Sequence, residues 1–323
     1  MQQRQLGSTG LTVSALGFGC GAVGGLMVRG APDEQRAAVG RALDAGITYF
    51  DTAAQYGDGA SEENLGRVMR DLGAWSRVVV GTKVRIPADA QPGYVRESLQ
   101  ASLRRLGRSE VDVFHLHNPI ALTRSERGQL ELGTVLGEVA QQLQAVKDAG
   151  LARHIGFTGL GESAAVREVL RAEPFATVQA YFNALNPSAG FTGHTGGEQD
   201  FEGLIDTAAR AGRGVIVIRV LAAGAAAGLE ERPPNAGDAG PPLAGAGYAD
   251  DLSRAANLRN LATQFGMESQ VELALRFGLS KDGVSTVLVG YSNLTHLEDA
   301  IRFAERGPLS DEALRKVLDV SSG

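Results

Sequence analysis

The sequence predicts an α/β protein built on about eight parallel strands, either closed as a (β/α)8 barrel or open as a doubly wound sheet. Three observations carry this. Short apolar runs rich in branched residues recur along the chain, helix-like stretches separate them, and each run is nearly continuously apolar, as in strands covered on both faces. The runs are Ser14–Phe18, Ile47–Asp51, Arg77–Thr82, Val111–His117, His154–Thr158, Ala176–Ala180, Val215–Val220 and Ser285–Gly290. Most start ~20–40 residues apart, which suits successive strand–loop–helix–loop units.

Taken in order, residues 4–13 hold a Gly-Ser-Thr-Gly turn between two extended pieces, predicting a short N-terminal β-hairpin before the first strand. Pro32-Asp33-Glu34 opens a helix with acidic residues at its positive end, and Asp44-Ala45-Gly46 closes it. Gln91-Pro92-Gly93 precedes a helix whose Val95, Leu99, Leu103 and Leu106 share one face. Val135–Ala149 reads as another helix, stopped at Gly150. Residues 222–250 are dominated by Gly, Ala and Pro, which reads equally as a mobile loop or as a flap over a ligand. A last helix is expected around Thr295–Arg302.

The bulk properties narrow the function classes. A length of 323 residues fits one barrel domain, 1–323. A net charge of −6 disfavours a nucleic-acid backbone as partner. The single cysteine, Cys20, excludes an internal disulfide and fits a reducing compartment. No signal core or membrane-length apolar run stands out, so a cytoplasmic protein is expected, with monomer as the default state.

A barrel gathers chemistry at the C-terminal ends of its strands. Those ends carry Asp51, Lys83 and His117 on three consecutive strands, so a carboxylate, an amine and an imidazole converge on one mouth. Tyr56 follows Asp51 in the next loop. A phenol is too weak an acid to donate efficiently at neutral pH, but a neighbouring ammonium lowers its pKa. Lys83 can play that part, Asp51 can hold the lysine charged, and His117 can orient a substrate oxygen. None of these groups moves a hydride, so such a site needs a reduced nicotinamide. The glycine-rich GFGCGAVGG is not a dinucleotide fingerprint, so the cofactor would lie across the mouth in another way. No convincing metal-ligand set is present; His115 reads as a packing residue. Cys20, Asn118, Phe182, Asn183 and Asn186 are read as pocket wall.

The segments LGSTGLTVSALGFG, FDTAAQYGDGASEENLG, GTKV, VDVFHLHNP, HIGFTG, TVQAYFN and VLVGYSNLTHLEDAI resemble successive signatures of the aldo-keto reductase superfamily. The closest flavour is its bacterial branch of sugar- and aryl-alcohol-type enzymes. The resemblance implies the closed barrel over the open sheet, with long loops at the mouth. It implies Tyr56 as general acid/base, Lys83 tuning it, Asp51 pairing with the lysine and His117 orienting the carbonyl. It implies a small carbonyl or alcohol substrate and NADP as cofactor, with NAD a rival. Cofactor contacts carried over are Thr158 and Gln179 at the carboxamide, Arg219 and Leu221 after the seventh strand, and Gly290, Ser292, Asn293 and His296 at the adenosine end. Two positions depart from the family: Gly159 replaces a usual amide, and Ile218-Arg219 replaces an aromatic stacking residue. Arg219 is expected to turn into the mouth, against the simpler reading of a salt bridge to a loop. Arg302 is a further cation near the adenosine end. A nucleotide-binding sensor on the same fold is the alternative from a different class.

Overall fold

The structure is a computed structural model, describing residues 1–196, 198–240, 243–245 and 247–321. In chain order the strands are β1 (Gln3–Gln5), β2 (Thr12–Ser14), β3 (Leu16–Gly19), β4 (Tyr49–Asp51), β5 (Val79–Val84), β6 (Val111–Leu116), β7 (Ile120–Ala121), β8 (Leu130–Glu131), β9 (Ala152–Gly159), β10 (Thr177–Tyr181), β11 (Gly214–Ile218) and β12 (Thr286–Gly290). Eight of them close into a parallel barrel in the order β3-β4-β5-β6-β9-β10-β11-β12, with β12 returning to β3. These are the eight runs read from the sequence, displaced by two residues at most at either end. The N-terminal piece is the expected antiparallel hairpin, Gln3 opposite Ser14 and Gln5 opposite Thr12.

The hairpin lies across the N-terminal end of the barrel. Leu6, Leu11 and Val13 pack with Tyr49, Val79, Val113, Ile216 and Leu288 in an apolar cluster separate from the main core. Ser8 N–H donates to the Gly212 carbonyl at 2.8 Å and the Arg4 guanidinium to Val284 O at 3.0 Å, so the plug is tied down by backbone acceptors. The main core lies between strands and helices, where Phe18 and Phe50 stack with ring centroids 5.2 Å apart.

Side chains alternate across each strand with a period of two, and this delivers the polar residues to the inside. On β4, Tyr49 joins the interior cluster, Phe50 the outer core, and Asp51 points inward again. On β5 the sequence Val79, Gly81, Lys83 is inward, and on β6 it is Val113, His115 and then His117 just past the strand end. Two glycines make room for these groups. A Cβ at Gly81 would sit 2.7 Å from the Tyr49 hydroxyl and 3.3 Å from Asp51 Oδ2. At Gly156 it would sit 2.1 Å from Thr177 Oγ1 and 2.8 Å from the His115 ring.

The helix opened by Pro32 spans Pro32–Asp44, with Gly46 at φ 79 behind it. The next expected one spans Tyr94–Leu106, burying Val95, Leu99, Leu103 and Leu106. The stretch 135–149 differs from expectation: a turn of α-helix at Leu132–Thr134 passes through a π-turn at Val135–Val139 into Ala140–Asp148. The segment 222–250 is also less loop-like than its composition. It begins with a 3-10 turn at Ala222–Ala227 and ends in a helix starting at Tyr248, where Asp250 accepts from Gly247 N–H. Pro241, Pro242 and Ala246 of this segment lie outside the described residues.

Candidate active site

The Tyr56 loop is fixed by its own motif. Thr52 N–H donates to Gly81 O at 2.9 Å, and Ser61 joins Thr52 Oγ1 at 2.8 Å and the Cys20 carbonyl at 2.9 Å. Gly57, Asp58 and Gly59 all have positive φ (62°, 49° and 97°), so the chain turns sharply between Tyr56 and the helix Ala60–Asp71. Glu62 in that helix is buried and bonded to Thr82 and Arg105, which anchors the helix to β5 and to the helix Tyr94–Leu106. Ser61 and Glu62 of the SEENLG segment therefore hold the loop that carries the phenol.

Asp51, Tyr56, Lys83 and His117 converge. Lys83 is fully buried and its ammonium uses all three N–H groups, to Asp51 Oδ1, to Thr52 O at 2.8 Å and to the Tyr56 hydroxyl at 3.1 Å. Since Lys83 donates to the phenolic oxygen, the hydroxyl proton of Tyr56 is directed elsewhere. The rings of Tyr56 and His117 meet edge to face with centroids 6.0 Å apart, flanking the space where a substrate oxygen would sit. Burial works to lower the Lys83 pKa, but Asp51 and Tyr56 raise it above the ordinary lysine value, so the group stays charged. Burial pushes the Asp51 carboxyl up, opposed by Lys83 and by a hydrogen bond from Gln179. His117 is held well below its ordinary value by burial, Lys83, Arg85 and His115, and is neutral at physiological pH.

One expectation about Tyr56 is corrected. Lys83 does act to lower its pKa, but burial outweighs the ammonium and the net shift is upward. The phenol is therefore protonated before substrate arrives.

The residues expected at the carboxamide end lie inside the barrel. Thr158 and Gln179 face each other across β9 and β10, with Thr158 Oγ1 3.4 Å from Gln179 Oε1. The Gln179 Nε2 donates to Asp51 Oδ2 at 2.7 Å, so this amide also braces the carboxylate. Arg219 has a positive φ of 60° immediately after β11. Its guanidinium donates to the Ala239 carbonyl at 2.9 Å, and burial lowers its pKa below the ordinary arginine value, opposed by Tyr181 and Tyr56. Among the described residues it has no carboxylate partner within salt-bridge distance, so the competing reading of a loop salt bridge is not met; its contact is with a loop carbonyl instead. Leu221 begins the 3-10 turn, its carbonyl accepting from Gly224 N–H at 2.7 Å.

At the far side, Gly290 is exposed at the end of β12, and Ser292 is buried beside the helix Leu294–Glu305. Asn293 caps that helix, its Oδ1 accepting from His296 N–H at 2.9 Å. Free N–H groups at a helix start, a hydroxyl and an accessible glycine form a donor set suited to a phosphate. Arg302 is not part of it: its guanidinium is paired with Glu268 and Asp299. The segment 229–240 bridges this region to the β3 loop. Gly237 N–H donates to Ala22 O at 3.0 Å, Arg29 Nε to Asn235 O at 2.9 Å, and Asn235 Nδ2 to Ser292 O at 2.9 Å.

Several residues read as pocket wall are buried structural groups. Cys20 is 1% exposed and its thiol is raised far above the ordinary value by burial. Asn118 ties Ile86 N–H at 2.8 Å and Gly128 O at 3.0 Å. Phe182 stacks on Phe277, Asn183 accepts from Leu185 and Asn186 N–H groups, and Asn186 binds Gln199 O. His115, as expected, is a packing residue, 3.0 Å from Thr177 Oγ1 and held down to about 3 by burial and Lys83. Sequence reading missed Gln55, whose amide lies against His117; its position next to Tyr56 was the available signal. Among the described residues no group of three or more His, Cys, Asp or Glu side chains is placed to hold a metal ion. No helix there is long and apolar enough to cross a membrane.

A closed parallel barrel with a buried Lys–Asp pair against a phenol at its mouth is the framework of a carbonyl-handling oxidoreductase. The profile of the Aldo/keto reductase family matches residues 15–321. L-galactose dehydrogenase of Arabidopsis thaliana is 30% identical, over 93% of this chain and 87% of that protein. L-glyceraldehyde 3-phosphate reductase of Escherichia coli K12 is 29% identical, over 98% and 91%. The solved holo form of an aldo-keto reductase from Bacillus halodurans shares the fold with TM-score 0.75 at 22% identity, covering 99% of this chain and 96% of that one. The chain belongs to the aldo/keto reductase family. It is an NAD(P)(H)-dependent oxidoreductase that interconverts carbonyl and alcohol groups on small molecules.

Proposed function

We propose that this chain, folded as one barrel domain over 1–323, reduces small aldehydes, ketones or neutral sugars with NADPH, with Tyr56 as general acid. A single observation carries the reading: Lys83 is saturated with acceptors and spends one N–H on the Tyr56 oxygen at 3.1 Å. That hydrogen bond stabilises the phenolate left when the proton moves to the substrate oxygen. Asp51, braced by Gln179, keeps Lys83 charged and in place, and His117 orients the substrate oxygen from the opposite side. The bound nicotinamide supplies or accepts the hydride. A phenol protonated at rest is ready to act as the acid in reduction.

Thr158 lies at the carboxamide end of the proposed cofactor seat; Gly290, Ser292, Asn293 and His296 lie at its adenosine end. Ser292 and the helix start can hold a 2′-phosphate, which supports NADP over NAD. Leu221 and Arg219 flank the stretch between, where Arg219, which makes no ion pair among the described residues, would meet the pyrophosphate or the substrate. The lone free thiol, Cys20, supports a cytoplasmic setting.

The test is fluorescence titration with NADPH and NADH on wild type and Tyr56→Phe, followed by turnover on an aldehyde panel. Both proteins should bind the nucleotide, NADPH more tightly, and only the variant should lose turnover. If neither nucleotide binds at hundreds of micromolar, the reductase reading is wrong for this chain. Arg219→Ala should weaken nucleotide binding or turnover; leaving both intact would make Arg219 structural.

A further inference from the structure

His117 is neutral and so has one ring N–H to give. Which nitrogen carries it decides what the imidazole offers the mouth. A carbonyl oxygen is an acceptor and needs Nε2–H; an imidazole protonated on Nδ1 presents only a lone pair. The ring is anchored through its backbone, His117 N–H donating to Val84 O at 2.8 Å. Its Nδ1 lies 3.3 Å from Gln55 Oε1, and among the described residues this is the side-chain hydrogen bond the ring makes. Gln55 directly precedes Tyr56 and is exposed at the mouth, so its amide is free to turn.

We propose that Gln55 is a positioning residue that sets the tautomer of His117. With its carbonyl toward Nδ1, as in this structure, it accepts from Nδ1–H and leaves Nε2 bare. With the amide turned over, its NH2 donates to Nδ1, and the ring proton moves to Nε2, where it can bond the substrate oxygen. A side chain presenting an acceptor and a donor of equal reach is what such a change requires, and glutamine has both. The other ionisable groups facing His117 are Lys83 and Arg85 from β5 and its following loop, His115 from its own strand and the Tyr56 ring. None of these is hydrogen-bonded to Nδ1, so the choice falls to Gln55. The inference rests on the reductase reading for its consequence, but the tautomer can be measured without turnover.

The experiment uses the full chain labelled with 15N-histidine, whose five histidines can be followed by two-bond proton–nitrogen correlation, His117 being assigned through His117→Gln. Wild type should show the Nδ1–H pattern at rest and the Nε2–H pattern with NADP+ and a test aldehyde bound. Gln55→Glu, which can only accept, should keep Nδ1–H in both states. Its reductive kcat/KM should fall about tenfold at neutral pH and recover at lower pH, where the imidazolium carries both protons. Gln55→Leu should lose the resting preference, with a smaller loss in kcat/KM. The proposal is overturned if Gln55→Leu leaves the resting tautomer of His117 unchanged, or if Gln55→Glu matches wild type across the pH profile. Turnover retained in Tyr56→Phe would instead remove Tyr56 as the general acid, and failure of either nucleotide to bind would remove the reductase reading; both leave the resting-tautomer result standing.

Discussion

The two ends of the barrel are finished with opposite materials. At the N-terminal end the hairpin inserts Leu6, Leu11 and Val13 into an apolar layer and ties itself to carbonyls with Arg4 and Ser8. Toward the C-terminal end of the same barrel the interior holds Asp51, Lys83, Gln179 and Thr158. The same alternation of side chains produces both. Charges removed from water are costly unless every donor and acceptor is satisfied, and here each Lys83 N–H has an acceptor. The plugged end therefore supplies stability, and the open end holds a polar network that is tolerable only while it is complete.

Substitutions at the two ends should separate these roles. Lys83→Met should have the largest effect, lowering kcat/KM by ~10²–10⁴-fold and destabilising the fold by roughly 3–5 kcal/mol, since Asp51 is left buried without its partner. Steady-state kinetics and urea unfolding read the two losses; normal stability would mean that Asp51 does not depend on the lysine. Leu6→Ala should cost about 2–5 kcal/mol through the cavity it opens while leaving kcat/KM unchanged. A matching drop in kcat/KM would break the division between the ends.

The third prediction concerns pH. His115, held down to about 3, and His117, also depressed, stay neutral in the folded chain while the unfolded chain protonates both near 6.5. A depressed histidine pKa means stability is full above 6.5 and lost as pH falls below it, by up to about 1.4 kcal/mol per pH unit for each histidine. Urea midpoints at pH 7 and pH 5.5 check this, and equal midpoints would show that the mouth opens to water on acidification. Smallest of all, Asn235→Ala should cost about 1 kcal/mol and speed cofactor release by freeing the 229–240 segment from Ser292. Stopped-flow displacement of the nucleotide measures that release, and an unchanged rate would mean the segment plays no part in retention.

The difference between the ends also explains what the sequence revealed. Strand ends could be found from apolar runs, and the C-terminal ends of three consecutive runs then placed Asp51, Lys83 and His117 at one mouth. The loop expected to carry Tyr56 after Asp51 is present in the structure. Depth was not legible. Cys20, Asn118, Phe182, Asn183 and Asn186 follow strand ends as a pocket wall would, yet each folds back to bond or pack below the surface. Nor was the balance between burial and Lys83 at Tyr56, since desolvation depends on the whole barrel and not on neighbours in sequence. The glycine- and alanine-rich segment 222–250 concealed a 3-10 turn and a helix start because small residues carry little hydrophobic pattern.

The saturated Lys83 ammonium has one more consequence. With its three protons directed at Asp51, Thr52 and Tyr56, it has none to send downward, and below it lie His115, which resists protonation, and an apolar plug. If Tyr56 is the proton donor, as proposed, the described residues offer it a fresh proton from the solvent side, through the mouth that substrate and cofactor must occupy. On that mechanism, each reductive cycle would close when the mouth has cleared enough for water to reach the phenol.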